Sequence, residues 1–345
     1  MTRPIDQLEP FLIGGRCQWA LLRGAADNLP LLLIIQAGPG LPVIHEAQSL
    51  ERTLGLEQDF VVVYWDLRGC GKSFAALMAH DTLTVQRLVD DIGDMIACLQ
   101  AHFPTRALFV LGFSVGATLA AIALHAASRG VSALVAVGMD IDMPATDQSA
   151  YAFVLDTART RNHRSALRQL RDQLGSAPVT SAKRFMIRAR WLAEFGAIDR
   201  RLRYRHLLTR ELGRLLRCRH YTIRDRINAV RGMQRVADCL LPELAALNLC
   251  VAVPRFDIPL FLLNGRHDNL ASPLILVPFH RQLLAPRGAY IVWFEDSAHM
   301  PHYEEPERFR ATLRAIRDHG HQKNLDLELA IVNARAQLSY ARRTP

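Results

Sequence analysis

The strongest constraint on the fold of this chain is an alternation of short apolar runs with longer stretches of helical character. The strand-like runs lie at residues 31–35, 60–65, 107–111, 131–137, 259–263 and 290–294. The helical stretches lie at residues 84–102, 117–128, 274–284 and 305–319. Buried strands joined by helices of this length are typical of a mostly parallel sheet with helices on both faces. We therefore predict an α/β fold.

Residues 141–250 interrupt this alternation. They contain no strand-like run and several Arg-rich helical stretches, among them residues 166–174 and 184–195. The predicted organisation is a body made of residues 1–140 and 251–345, split by a helical insert of residues 141–250. A charged helical tail is expected to follow the closing helix as far as Pro345.

Charge separates the insert from the body. The chain has 42 Lys and Arg against 33 Asp and Glu, a net charge of +9, and half of its residues are apolar, which excludes extensive disorder. Residues 151–240 hold 21 basic and seven acidic residues, a balance of +14, and the 21 basic and 26 acidic residues elsewhere sum to −5. We interpret the basic stretch as a solvated helical face, with a surface for nucleic acid or another polyanion as the alternative.

The segment Gly112-Phe113-Ser114-Val115-Gly116 joins a predicted strand to a predicted helix. Gly-x-Ser-x-Gly in this context indicates a nucleophile elbow, a turn too tight for a bulky residue at either glycine. Such a turn exposes the Ser114 hydroxyl above the sheet edge and directs the N–H of Val115 toward the same space. We predict that Ser114 is a nucleophile.

A serine nucleophile needs a base that an acid holds in orientation. Asp268 and His299 follow the last two predicted strands, so both belong at the sheet edge that carries Ser114. We predict that His299 is the base and Asp268 the acid. Asp140, which follows the strand before the insert, is an alternative acid.

Three neighbouring residues are interpreted as non-catalytic. His302 lies past Pro301 and is expected to be a capping or surface residue. His267 adjoins the acid, and its side chain should point away from that of Asp268, so it is expected to form a wall of the site. Asp296 is expected to solvate its loop.

Two loops follow early strands of the predicted sheet. The glycine-containing loop at residues 36–40 can turn backbone N–H groups inward and, with the N–H of Val115, stabilise the oxyanion of a tetrahedral intermediate. Asp66 and Arg68 lie in the loop after the second strand-like run, and we interpret them as an internal charge-assisted pair that holds this loop rigid.

Taken together, these segments resemble the proline iminopeptidase-like branch of the α/β-hydrolase superfamily. The segments that carry the resemblance are Gln36-Ala-Gly-Pro-Gly40, Tyr64-Trp-Asp-Leu-Arg-Gly-Cys-Gly-Lys-Ser73, Gly112-Phe-Ser-Val-Gly116 and the surroundings of Asp268 and His299. The likeness covers about residues 10–140 and 255–320. It implies the α/β-hydrolase fold, with a mostly parallel central sheet flanked by helices and a helical cap inserted after strand six to roof the pocket.

The same resemblance implies roles for individual residues. Ser114, Asp268 and His299 would form the catalytic triad, and Gly38 and Val115 would supply the oxyanion hole. Several positions of the family motifs are changed here, namely Gln36, Ala37, Leu67, Phe113 and Val115. Backbone donors survive such changes, so hydrolysis is still expected.

Substrate recognition is where the resemblance and the charge diverge. In the family, acidic residues, several of them in the cap, meet the N-terminal amine of the substrate. Here Glu194 and Glu211 are the only glutamates between residues 151 and 240. Because a positive field disfavours a buried ammonium, the basic cap predicts a pocket for neutral or anionic acyl groups.

The predicted function is a serine hydrolase that forms an acyl-enzyme on a small amide, a peptide N-terminus or an ester, as the resemblance to proline iminopeptidases implies. The alternative is a carboxylesterase or lactonase for neutral or anionic acyl substrates. Two non-catalytic alternatives are a regulatory protein on a decayed hydrolase fold and a binder of nucleic acid or an anionic surface.

We expect no cofactor and no metal, since the six cysteines lack metal-ligand spacing. We also expect no membrane span, because no apolar run approaches about 18 residues. The first ten residues lack the apolar core of a signal peptide, and the cysteine usage fits a reducing compartment. The predicted setting is cytoplasmic and the predicted partner a small molecule or short peptide, while the sequence contains no indication of an oligomeric state.

Overall fold

The computed structural model describes residues 3–76, 83–175 and 178–319, so the predicted tail after residue 319 lies outside the described residues. Eight strands form one sheet. They are β1 (Ile5–Ile13), β2 (Arg16–Gly24), β3 (Leu31–Ile35), β4 (Val61–Asp66), β5 (Leu108–Phe113), β6 (Val131–Val137), β7 (Leu260–Gly265) and β8 (Ala289–Phe294). The six predicted strands are all present, and β1 and β2 are two strands that were not predicted.

The strands follow the order β1-β2-β4-β3-β5-β6-β7-β8 across the sheet. The N-terminal hairpin of β1 and β2 adds antiparallel pairs at one edge, and all pairs from β4 to β8 are parallel. The prediction of a mostly parallel sheet is therefore confirmed. Because the parallel strands run in one direction, their carboxyl ends share one edge.

The helices are α1 (Ala47–Leu54), α2 (Val85–His102), α3 (Val115–Ala126), α4 (Met143–Thr160), α5 (Arg164–Gln169), α6 (Ala182–Phe195), α7 (Tyr204–Arg217), α8 (Ile223–Leu244), α9 (Leu249–Ala252), α10 (Pro273–Gln282), α11 (Pro301–Glu304) and α12 (Pro306–His319). Shorter turns are the 3₁₀ helices Ile44–Glu46, Leu56–Gln58 and Gly71–Ala76 and the π-helical turn Leu170–Leu174. Among these described helices, none is long and apolar enough to cross a membrane.

The core lies on both faces of the sheet. Leu31, Leu33 and Ile35 of β3 face one layer, which includes α2 and α3, while Leu32 and Ile34 face the other. Each strand of this kind is apolar on both sides, which explains why the strand-like runs are continuous and not alternating. The helices between β6 and β7 form the helical insert. Apolar residues of α4, α5 and α6, from Ala150 to Phe195, build a small separate core with Ala197, whereas Val236, Leu240 and Leu244 of α8 join the main core.

The loop after β4 is fastened differently from the prediction. Asp66 accepts hydrogen bonds from the Tyr221 hydroxyl of the insert and from three backbone N–H groups, those of Val43, Ile44 and Lys72. Arg68 pairs instead with Asp91 of α2, with 2.7 Å between Nε and Oδ2. The predicted internal Asp66–Arg68 pair is therefore wrong, because each side chain binds a different element and holds the loop against it.

Candidate active site

Ser114 occupies the turn between β5 and α3 with a backbone φ of 52° and ψ of −127°. A non-glycine residue at positive φ is strained, and such strain concentrates at functional sites. The flanking glycines allow the turn. A Cβ at Gly112 would lie 2.5 Å from the Cα of Ala117, and one at Gly116 would lie 2.0 Å from the carbonyl oxygen of Gln36. The predicted steric reason for both glycines is confirmed.

His299 and Asp268 form a buried pair beyond the ends of β8 and β7. The Nδ1 of His299 lies 2.8 Å from Oδ2 of Asp268. The other oxygen, Oδ1, accepts hydrogen bonds from the backbone N–H groups of Leu270 and Ala271. The Asp268 carboxylate is therefore held from both sides, and it presents a fixed acceptor to the His299 ring.

The environment favours the protonated form of His299. Burial alone would lower the pKa of His299, but the Asp268 carboxylate, together with Asp140 and Glu304, more than offsets it, so the pKa lies above its ordinary value. An imidazole stabilised in this way as an imidazolium is suited to accept a proton from a neighbouring hydroxyl during a reaction.

Asp140 lies against the nucleophile and not against the base. The Ser114 hydroxyl donates to Oδ2 of Asp140 at 3.2 Å, and no hydrogen bond within the described ranges joins Ser114 to His299. Burial raises the pKa of Asp140, and its Oδ1 is buried without a hydrogen-bond partner in the described part of the chain. Of the two predicted acids, the structure thus brings Asp268 to His299 and Asp140 to Ser114.

Gly138 is a site residue that the sequence analysis missed. Its φ is +54°, and a Cβ there would lie 2.8 Å from Cε1 and 2.9 Å from Nδ1 of His299. The absence of a side chain lets the His299 ring pack directly against the end of β6. Gly138 immediately follows a predicted strand, and that strand is the neighbour of the one that leads into the elbow. This position after the strand is the signal that could have identified it.

Glu304 joins the loop of His299 to the insert. Its carboxylate accepts from the N–H of Ala298 and from the N–H of Arg200, both at 2.8 Å. The N–H of His299 itself donates to the carbonyl of Ile198 in the insert. Burial raises the pKa of Glu304 to about 7, although the two N–H donors oppose that shift. The position of His299 therefore depends on contacts with both the body and the insert.

A pocket of about 140 Å³ opens above Ser114 and His299. Ala37 lines it, whereas Gly38 and Val115 are not among the described residues of its wall. The N–H of Val115 belongs to the first residue of α3, where helical N–H groups lack an intrahelical partner. Ala37 is thus a second candidate, next to Gly38, for the other backbone donor of the predicted oxyanion hole.

His302 and His267, the two histidines interpreted as non-catalytic, do not occupy the positions expected from the sequence. His302 is buried, lines the pocket and packs its ring 4.6 Å from that of Phe113, so its interpretation as a capping or surface residue is wrong. Burial keeps the pKa of His302 well below its ordinary value. His267 is exposed and is not among the described pocket residues, so the wall that it was expected to form is built by His302. Asp296 is exposed in its loop, as expected.

Two carboxylates belong to the pocket wall. Glu46 and Glu211 both line it, and Arg214 pairs with each of them, at 3.4 and 2.7 Å. Glu46 also accepts from the Tyr303 hydroxyl at 2.8 Å, and burial together with the charge of Glu211 raises the pKa of Glu46. This cluster of acids is the part of the site most suited to hold a positive charge.

The same cluster contains the donor set closest to a metal site in the described residues. Ligand atoms of His45, Glu46 and Glu211 lie within 4.8 Å of one another. The guanidinium of Arg214 already supplies a cation to both carboxylates, and His45 Nε2 lies 3.6 Å from Glu211. These ion pairs explain why the three side chains lie close together, so their closeness does not indicate a metal site.

Among the described residues, Arg210 is the one basic residue of the insert that lies in the pocket wall. The charged lining consists of Arg210 against Glu46 and Glu211, a formal balance of −1 before the histidines are counted. All 21 basic residues of the 151–240 stretch fall within the described residues, and Arg210 alone among them lines this pocket. The +14 balance is therefore a property of other surfaces.

This sheet, with a strained serine at the end of β5 and a His–Asp pair at the ends of β8 and β7, defines an α/β-hydrolase. The chain belongs to the Alpha/beta hydrolase family, whose family model matches residues 40–312. It is 28% identical over 318 residues to the Probable aminopeptidase YbaC of Bacillus subtilis strain 168, covering 92% of this chain and 98% of that protein.

Solved structures share the fold at low sequence identity. The proline iminopeptidase of Mycobacterium smegmatis superposes with a TM-score of 0.60 at 16% identity and covers 94% of this chain and 99% of its own. The enol-lactonase of Burkholderia xenovorans LB400 superposes with a TM-score of 0.54 at 14% identity and covers 90% of this chain and all of its own. The predicted fold class and the resemblance to proline iminopeptidases are confirmed.

Proposed function

We propose that the protein is a serine hydrolase of the aminopeptidase type, which releases a small N-terminal residue through an acyl-enzyme. The observation that carries this proposal is the meeting of Ser114, the His299–Asp268 pair and the carboxylates of Glu46 and Glu211 in one pocket. The first three residues match the chemistry of acyl transfer, and the two acids match a substrate ammonium.

In the proposed reaction, Ser114 Oγ turns from Asp140 toward His299 and attacks the substrate carbonyl as Nε2 of His299 takes the hydroxyl proton. Rotation about χ1 of Ser114 would move the hydroxyl from Asp140 to His299. Catalytic hydrogen bonds are often formed only in the enzyme–substrate complex. Asp268 holds Nδ1, stabilises the imidazolium and fixes the tautomer. His299 then protonates the leaving amine, and water releases the acyl group by the same steps.

The tetrahedral intermediate places a negative charge on the former carbonyl oxygen. The proposed donors to this oxygen are the N–H of Val115 and an N–H of the loop that contains Ala37 and Gly38. Donors fixed before the reaction stabilise the developing charge without reorganisation, and each is typically worth about 10²–10³ in rate. We propose that the helical insert acts as the cap that closes this space from water.

Pocket size and charge support an amino-terminal residue as the acyl group. A volume of about 140 Å³ is small beside the roughly 300–1,000 Å³ of typical ligand pockets, so the acyl part must be small. Its ammonium would meet Glu46 and Glu211, which line the same pocket as Ser114. The apolar wall formed by Phe113, Val137 and Leu207 suits a compact apolar side chain.

An esterase or lactonase for neutral acyl groups is the second candidate, and one observation favours it. Arg214 already pairs with both carboxylates, and Arg210 also lines the pocket. A substrate ammonium must therefore compete with a guanidinium that is in place, whereas a neutral substrate needs no such exchange.

The hydrolase proposal is tested by active-site labelling of the full chain with a fluorophosphonate probe. We expect the wild-type protein to be labelled and the Ser114→Ala variant to remain unlabelled. Absence of labelling in folded wild-type protein would favour a non-catalytic protein instead. Circular dichroism of both proteins provides the control for folding.

Substrate class is tested by comparing a prolyl arylamide with a free amine, its N-acetylated form and a matched ester. We expect preference for the free amine, and a KM about tenfold higher for that substrate in Glu46→Gln, since a charge-assisted hydrogen bond contributes about 1.5 kcal/mol or more. Glu51→Gln, which removes a carboxylate outside the pocket, is the matched control and should leave KM unchanged. A preference for the acetylated amide or the ester assigns the second candidate.

A further inference from the structure

A second cavity adjoins the active-site pocket, and Arg210 of α7 lines both. Its volume is about 290 Å³, twice that of the active-site pocket. Six arginines converge on it from three parts of the chain, namely β2, α1 and the region of α7 with the loop that follows. They are Arg23, Arg52, Arg210, Arg214, Arg217 and Arg219. Among the described residues of its wall there is no Asp or Glu.

Four of these arginines form ion pairs with carboxylates that are not part of the cavity wall. Arg23 pairs with Glu51 and Asp6, and Arg219 pairs with the same Asp6. Arg214 pairs with Glu46 and Glu211, and Glu211 also lies 3.5 Å from Arg210. These ion pairs hold the guanidiniums in place, which lowers the conformational entropy that a ligand would have to remove on binding.

The other two arginines have no carboxylate partner within the described ranges. Arg52 donates from Nε to the backbone carbonyl of Gln48 and makes no ion pair there. Arg217 makes neither a hydrogen bond nor an ion pair in the same residues, and its guanidinium lies over Gly213, where a Cβ would be 3.0 Å away. Glycine at this place in α7 thus leaves room for the Arg217 head group.

Charge balance points to a doubly charged ligand. Six guanidiniums less the four carboxylates that pair with them leave +2 before the histidines are counted. Two histidines also lie in the wall. Burial and Arg219 lower the pKa of His220, whereas Glu211 and Glu46 raise the pKa of His45 against the effect of burial, so the histidines do not reduce the balance of +2. A phosphate monoester carries about −1.5 to −2 at pH 7, and its oxygens accept bidentate hydrogen bonds from Arg.

Arg52, Arg217 and Arg219 are exposed, as arginines on a solvated basic face are. The arrangement differs from such a face in the way the side chains are grouped. Here all six line a single concavity. We propose that this cavity is a binding site for a phosphate monoester group, with Arg52 and Arg217 as the residues that engage it directly.

The site is tested by titration calorimetry of the full chain with inorganic phosphate and with phenyl phosphate, at about 0.15 M salt to screen non-specific attraction. We expect saturable binding with a Kd of about 1 mM or tighter, and at least tenfold weaker binding in the double variant Arg52→Gln, Arg217→Gln. The matched control is Arg205→Gln, Arg224→Gln, which removes two exposed charges outside the cavity and should bind as the wild type does.

The source of the phosphate is distinguished by a second arm with sedimented phosphatidic acid vesicles. Binding of soluble phenyl phosphate places the site among those for free metabolites. Vesicle binding that the Arg52, Arg217 variant loses, without binding of soluble phosphate, assigns the group to a lipid head. Failure of both probes to bind the wild type, or equal losses in the cavity and control variants, would overturn the proposal. Neither arm depends on hydrolytic activity, so the result is independent of the proposed function.

Discussion

The sheet edge and the insert side of the active-site pocket position their groups by different means. At the sheet edge the backbone does so, because Gly116 lies directly on the carbonyl of Gln36 and Gly138 lies directly on the ring of His299. On the insert side, side-chain ion pairs do so, with Arg214 between Glu46 and Glu211. One wall is held by close packing and the other by charge.

This difference determines which positions of the pocket can tolerate substitution. A Cβ at Gly116 would lie 2.0 Å from a backbone atom, and no rotamer relieves such a clash. An ion pair can exchange one partner for another of the same charge at modest cost, because its geometry is adaptable. We infer that the chemistry of this fold resides in the backbone at the strand ends and that its selectivity resides in the exchangeable charges opposite.

The largest effect that would sharpen this comparison is expected from the two acids at the sheet edge. Asp268→Asn should lower kcat/KM by about 10³–10⁴, because an amide at this position fixes the wrong His299 tautomer. Asp140→Asn should lower it by less than about tenfold, since the Asp140 carboxylate hydrogen-bonds the resting hydroxyl and not His299 in the described residues. Steady-state kinetics on one substrate measures both variants. The reverse order of losses would make Asp140 the catalytic acid.

A second test adds a methyl group on each side of the comparison. Gly138→Ala should lower kcat/KM by about 10²-fold, because the new Cβ displaces the His299 ring from its packed position. Gly175→Ala in the insert has a similar φ of +59° but no atom within 4 Å of the added Cβ, so it shares the backbone strain without the contact. It should leave kcat/KM unchanged while lowering the melting temperature. Equal loss of activity in both variants would contradict the packing argument.

The smallest effect concerns the contact between the two sides. Burial gives Glu304 a folded-state pKa of about 7, above the 4.5 of the free carboxyl, so the folded protein binds this proton more tightly than the unfolded chain. This stabilisation is fully present below pH 4.5 and is lost as the pH rises through about 7.

Thermal unfolding between pH 5 and pH 8 measures this contribution, which should amount to a few degrees in melting temperature. Glu304→Gln should flatten that part of the profile, because an amide does not titrate. Glu307→Gln removes an exposed carboxylate of α12 and should leave the slope as in the wild type. A flattened slope in both variants would show that net charge, and not Glu304, controls it.

The sequence predicted the strands and helices that have buried, regular patterns. The six predicted strands, β3 to β8, were found because their apolar runs are continuous, and the elbow was found because side chains at positions 112 and 116 would clash with neighbouring backbone. The hairpin of β1 and β2 was missed, since β1 is an edge strand that is half exposed and contains Pro10, features that weaken a strand pattern.

Contacts between segments that are distant along the chain could not be predicted from the sequence. The presence of Glu46 in the same pocket as Ser114, the packing of Gly138 on His299 and the burial of His302 each depend on how separate loops meet, and no local pattern encodes them. The balance of +14 was counted correctly, but it did not show which of these residues line the pocket, because counting charges along a chain does not tell which face of a helix they occupy. The structure assigns most of them away from the active-site pocket.

Arg214 lines the cationic cavity, and its two carboxylate partners line the active-site pocket. Two ligands that each interact with this chain of charges cannot bind independently. A dianion bound beside Arg214 would offset part of the positive potential that Arg214 creates at Glu46 and Glu211. The two carboxylates would then bind a cation in the active-site pocket more tightly. Thermodynamic reciprocity then requires that the cation strengthen the binding of the anion by the same factor. One guanidinium would in this way make two pockets cooperative without any movement of the fold.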